Sequence, residues 1–131
     1  MKRLIVNQPG EMAPPGGHYS HGVIVETGRT LYVAGQVPLD KNGNVTSPGD
    51  PEGQTRQALE NMRRVVEEAG GSMGDVAKTT VFVISLDARG PVGKARKEFF
   101  GDDPPANTFL VVSSLANPEF LVEIEAIVPL N

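Results

Sequence analysis

Apolar residues alternate with polar ones, or run together, over several short stretches of the chain, and they recur at helical spacing over two longer ones. Ser20-His21-Gly22-Val23-Ile24-Val25-Glu26 is followed by the turn residues Thr27-Gly28-Arg29-Thr30 and then by Leu31-Tyr32-Val33-Ala34-Gly35, which predicts a β-hairpin. Residues 38–53, rich in Gly, Pro, Asn and Asp, predict a loop. From Gln54 onward Ala58, Leu59, Met62, Val65, Val66 and Ala69 fall on one helical stripe, and Gly70-Gly71 supplies the stop. Ser72 to Asp75 has capping-box spacing, and Lys78-Thr79-Thr80-Val81-Phe82-Val83-Ile84 then reads as a β-branched strand, apolar on both faces. Pro91 is placed to open a second helix carrying Val92, Ala95 and Phe99, with Gly101 to close it. Strands follow over residues 107–114 and 121–128, and a short one is expected at Leu4-Ile5-Val6.

The order β-β-β-α-β-α-β-β predicts an α+β domain, with six strands in one mixed sheet and two helices on one face. Two helices cover only that face. Val23, Val25, Val81 and Val83 alternate with further apolar residues rather than with charges, so the second face calls for a partner, and self-association supplies one.

Composition narrows the chemistry. The 131 residues fit a single domain spanning 1–131, and the absence of cysteine excludes a disulfide framework, a thiolate metal site and a cysteine nucleophile. No apolar run approaches the roughly 20 residues that cross a bilayer, and the apolar part of the N-terminal segment is short for a signal peptide, so a cytoplasmic protein without membrane contact is the expectation. A net charge of −4 without a basic stripe argues against a nucleic-acid partner. His18 and His21, three apart, would point to opposite faces of a strand, and neither they nor the glycine clusters form a metal or phosphate site, so no cofactor is expected. Lys94, Arg96 and Lys97 read as the solvated face of the second helix.

Two places invite chemistry. In Pro104-Pro105-Ala106-Asn107-Thr108-Phe109-Leu110-Val111-Val112 a rigid corner becomes a strand and holds Asn107 at its mouth. There the amide contacts a ligand, or it bonds locally in the turn or at a subunit contact, or it simply fills the space. Glu123 and Glu125, two apart on a strand, share one face, opposite Val122, Ile124 and Ala126. Such charges on an apolar strand mark a site, an intersubunit ion pair or a solvated edge.

Gly17-His18-Tyr19-Ser20-His21-Gly22, Ala34-Gly35-Gln36-Val37-Pro38, Gln57-Ala58-Leu59-Glu60-Asn61, Asp75-Val76-Ala77-Lys78-Thr79-Thr80-Val81-Phe82, Pro105-Ala106 and Val122-Glu123-Ile124-Glu125-Ala126-Ile127 together resemble, in order, the motifs of the Rid family, also called YjgF/YER057c/UK114. The resemblance implies a chorismate-mutase-like fold and a homotrimer with ligand clefts between subunits. It also implies hydrolysis of small reactive enamines and imines, such as 2-aminoacrylate, to keto acids and ammonia. Glu123 then matches the glutamate that positions or activates water, Tyr19 the cleft tyrosine, and Gly35 with its neighbours the backbone that receives the ligand. The chain departs from the pattern where it matters. Asn107 stands in place of the carboxylate-binding arginine, Ala34 in place of a serine, and Phe109 in place of a small residue such as cysteine, while Gly93 and Arg96 replace an asparagine and a tyrosine. An amide cannot offer the paired charged donors of a guanidinium, so an altered substrate preference is expected. An arginine restored at 107 is expected to lie beside Glu123. The alternative is a non-catalytic trimeric binder of a small metabolite or of a protein. Ribonuclease activity, attributed to some members, fits the acidic balance least.

Overall fold

Asp50 and Pro51 start the first helix. The Asp50 side chain accepts a hydrogen bond from the Gly53 amide at 3.1 Å, and Pro51 occupies the first helical position, where a missing N–H leaves nothing unsatisfied. Helix α1 therefore runs Pro51–Glu68, three residues earlier than its apolar stripe alone suggested. It ends as expected: the Gly71 and Gly70 amides bond to the Val66 and Glu67 carbonyls, with Gly70 at φ +92°, a left-handed conformation that suits glycine. In the second helix, α2 (Arg89–Phe100), Pro91 lies inside the first turn rather than at its opening. Its missing N–H is still an orphan there. Gly101, at φ +65°, closes α2 with its amide on the Lys97 carbonyl.

The computed structural model describes residues 2–7, 12–26 and 28–131. Its strands are β1 (Lys2–Val6), β2 (Gly22–Glu26), β3 (Arg29–Gln36), β4 (Lys78–Val83), β5 (Ala106–Val111) and β6 (Val122–Leu130). All six lie in the expected sequence order, but they form two sheets. β1 pairs with β2 antiparallel, Lys2 opposite Glu26, while β3-β6-β4-β5 makes a four-stranded sheet in which β4 and β5 alone run parallel. Among the described residues the expected β2–β3 hairpin ladder is not formed. A turn signal is local, whereas the choice of strand partner depends on distant segments; Thr27, in the turn, lies outside the described residues.

Both helices cover one face of the four-stranded sheet. Val33, Val81, Val83, Val122, Ile124, Ala126 and Val128 meet Leu59, Met62 and Val66 of α1 and Val92 and Phe100 of α2 in one core. The other face carries Tyr32, Ile127 and Leu110, all exposed, with Thr80, Phe82 and Glu123 half-buried between them. Across the outside of the helix pair, Arg56 grips Glu98 through two hydrogen bonds of 3.0 and 2.8 Å and reaches Glu52 at 3.0 Å. No helix among the described residues is long and apolar enough to cross a membrane.

Candidate functional site

The parallel register of β4 and β5 places Thr79 beside Asn107 and Val81 beside Phe109. Thr79 and Val81 face the helices, so Asn107 and Phe109 face the same way. They open into a cavity of about 510 Å³ whose other walls are the loop Gly16 to Tyr19 and the α2 residues Arg89, Gly90, Val92, Gly93 and Arg96. The double-proline corner holds that loop in place. The Ser20 amide donates to the Pro105 carbonyl at 3.1 Å, and its hydroxyl donates to the Pro104 carbonyl. Within the loop, the Tyr19 hydroxyl accepts from the Gly16 amide at 3.2 Å and the Tyr19 ring meets the edge of His21.

Arg96 dominates the cavity's polar side. The solvated-face reading of the basic second helix is wrong for this residue, which is only 3% exposed. Nη1 donates to the His18 carbonyl at 2.6 Å and Nη2 to Thr79 Oγ1 at 3.1 Å, while Nε is buried without a partner. The guanidinium also lies over the Phe100 ring, 5.4 Å from its centroid. Burial lowers its pKa to about 10, which leaves it charged at neutral pH. Because Arg96 can only donate, Thr79 receives from it and gives its own hydroxyl proton to Asn107 Oδ1 at 2.7 Å. Asn107 is thus tied to Arg96 through one hydroxyl, and its NH2 edge remains for another partner. The helical phase Val92, Ala95, Arg96, Phe99, Phe100 already places position 96 on the buried stripe, a signal outweighed in the sequence by its basic neighbours.

His18 adds a second unpaired group. Its Nε2 lies 2.7 Å from the Gly101 carbonyl, which can only accept, so Nε2 carries the proton and Nδ1 is the lone-pair nitrogen in the neutral ring. Nδ1 is buried and unpartnered. Burial is the main cause that holds the His18 pKa below its ordinary value; the Gly101 carbonyl acts against it, and the charges of Arg96 and Lys97 add to it. His21 bonds elsewhere, to the Ala13 carbonyl at 2.8 Å, so the two histidines do not converge.

Ala34, Gly35 and Glu123 lie on the opposite face of the sheet. Glu123 alternates with the buried Val122 and Ile124 and therefore faces away from the helices. Between Val33, paired with Ala126, and Gln36, paired with Ile124, β3 gains a residue, a bulge that contains Ala34 and Gly35. The Glu123 carboxylate lies directly over Gly35: a Cβ at that position would meet Oε2 at 1.9 Å. Only glycine allows this approach. Within one protomer, then, Tyr19, Asn107 and Phe109 share the cavity, whereas Glu123, Gly35 and Ala34 share the open face. The expected proximity of Asn107 to Glu123 does not hold inside the protomer, because opposite parity on β5 and β6 sends the two side chains to opposite sides.

The family model described as Endoribonuclease L-PSP matches residues 10–130. A RutC family protein of Pyrococcus horikoshii is 39% identical over 128 residues, covering 97% of this chain and 97% of its own. Another from Sulfurisphaera tokodaii is 41% identical over 118 residues, 89% of this chain and 92% of its own. Among solved structures, YyfB of Yersinia pestis, described as a protein of unknown function of the conserved Rid family, has a TM-score of 0.89 at 38% identity, covering 99% of this chain and 100% of its own. The YjgF gene product of E. coli has a TM-score of 0.72 at 36% identity, covering 88% and 90%. With its fold, its motifs and nearly its whole length matched, this chain belongs to the Endoribonuclease L-PSP family, the YjgF/Rid family.

Proposed function

We propose that the protein hydrolyses small enamines or imines, releasing ammonia and a carbonyl compound, in a cleft completed by a second copy of the chain, with a substrate preference unlike that of arginine-bearing relatives. The observation that carries this reading is the carboxylate of Glu123 laid over the backbone of Gly35 at a bulge, on a sheet face whose apolar side chains are uncovered. A carboxylate over a bare backbone can take a proton from water as the oxygen adds to the C=N carbon of an imine, or of the imine tautomer of an enamine, and pass it to nitrogen; it then carries the carbinolamine hydroxyl proton to the same nitrogen as the C–N bond breaks, leaving the carbonyl and ammonia. One water is consumed, and carbon and nitrogen part without redox change. The cavity with Tyr19, Asn107 and Phe109 lies on the other side of the sheet, so one ligand can meet both sets of residues only between two copies; a closed ring of three satisfies this by repeating one contact.

A second reading, a non-catalytic trimeric binder, draws support from Asn107, whose neutral amide replaces a charged clamp. Ammonia release from a small imine generated in place by an amino-acid oxidase separates the two. Turnover above the buffer rate that disappears in Glu123→Gln is expected. An assembled wild-type protein without turnover would leave binding as the function, while turnover indifferent to Glu123→Gln would take the proton transfer away from Glu123.

A further inference from the structure

Arg96 is a cation almost wholly removed from water, and among the described residues it has no acidic partner. Its two hydrogen bonds go to neutral oxygens, and its Nε–H, one of the five donors of a guanidinium, is buried with none. A buried charge without a counter-ion is a costly arrangement that a protein keeps where an anion completes it. Arg96 lines a cavity whose other polar walls include Arg89, His18 and Asn107 and include no carboxylate, in a chain whose net charge is −4.

We propose that Arg96 is the anchor for a ligand carboxylate in this cavity, so that the guanidinium reaches the ligand from helix α2 and not from the mouth of β5. The inference rests on the reading that this cavity is the protomer's share of the ligand cleft. Asn107 fits the arrangement. Its Oδ1 is engaged by Thr79, which Arg96 also holds, so its free NH2 edge adds a neutral donor beside the charged ones. An arginine at 107 would instead crowd two guanidinium groups around one hydroxyl. The ligand carboxylate is therefore met by the cation from the helix side, and that change of direction is what sets the preference apart from that of arginine-bearing relatives.

Pyruvate and pyruvamide, alike in shape and different in charge, serve as probes in calorimetric titrations of the assembled protein. Pyruvate is expected to bind on the order of ten- to a hundredfold more tightly, the value of charged over neutral hydrogen bonds. Arg96→Gln should abolish that preference and Arg96→Lys should retain part of it, while Lys94→Gln, on the exposed side of α2, should leave it intact. Should Arg96→Gln fail to fold, the wild-type protein labelled with heavy nitrogen gives the readout: the Arg96 Nε–H resonance should move on saturation with pyruvate and stay with pyruvamide. Equal affinities in the wild type would show that the guanidinium's counter-ion comes from the protein, another copy included, and would overturn the proposal. An unchanged preference in a folded Arg96→Gln, or an unresponsive Nε–H, would do the same. Hydrolysis is read separately: an Arg96-dependent preference for pyruvate in a protein without turnover keeps the anchor and removes the hydrolase reading.

Discussion

Gly35 and Glu123 touch across a bulge, and that contact makes a sharp experiment. A methyl group at Gly35 would overlap the Glu123 carboxylate and come within 2.9 Å of its Cγ. Glu123 is half-exposed and can swing away. Gly35→Ala is thus expected to change stability by no more than about 0.5 kcal/mol, yet to reduce turnover on the order of a hundredfold by misplacing the proton acceptor. Thermal melts and ammonia release, measured on the same preparation, check both halves. His18 makes a second case at this scale. Its folded-state pKa lies below 6.5, so as pH falls through 6.5 the unfolded chain binds a proton that the folded chain resists. The stability contributed by the neutral ring is complete above that pH and is lost as the pH falls toward the folded value. Melting temperature should decline between pH 7 and pH 5, and His18→Gln should flatten that decline; a wild-type curve that is flat there would contradict the half-buried, cation-flanked position of the ring.

At the scale of elements, α1 is fastened to the segment before β6 by one side chain. Gln54, fully buried, donates Nε2 to the Glu119 carbonyl at 3.0 Å and accepts from the Leu121 amide at 2.8 Å. Phe120 is carried inward between these two bonds. Gln54→Leu keeps the volume and removes both partners, at a cost of about 0.5–1.5 kcal/mol for each of these part-buried hydrogen bonds. Urea unfolding should report that loss. Because this segment leads directly into the strand that carries Glu123, turnover is expected to fall with it. The helix boundaries show how local chemistry and packing share the work. Periodicity located the buried stripe of α1, but the Asp50-Pro51 start was legible only as capping chemistry, three residues outside the stripe.

For the whole molecule, the open sheet face is the surface on which the proposed assembly rests. Tyr32 is 74% exposed and Ile127, its cross-strand neighbour, is 38% exposed. The face also holds Leu110, Phe82 and Glu123, half of the proposed site. Light scattering at micromolar concentration is expected to give the mass of three chains, and Tyr32→Asp combined with Ile127→Asp should give one. Turnover should disappear with the assembly, since neither face alone presents both the cavity and the carboxylate. A monomer in the wild type would remove the composite cleft.

The sequence by itself determined which segments become helix or strand and in what order, because periodicity, caps and turn residues express free energies that are settled within a few neighbouring positions. It also marked Tyr19, Gly35, Asn107 and Glu123 as residues with chemistry to offer. Only the tertiary structure decided that β2 takes β1 as its partner, that Asn107 and Glu123 stand on opposite faces of one sheet, and that Arg96 is buried where its neighbours Lys94 and Lys97 suggest solvent. Each of those outcomes is set by register and by packing between segments far apart in the chain. A one-residue change of register turns every side chain of a strand to the other face, and the environment of a helical arginine is made by the strand and loop that close over it.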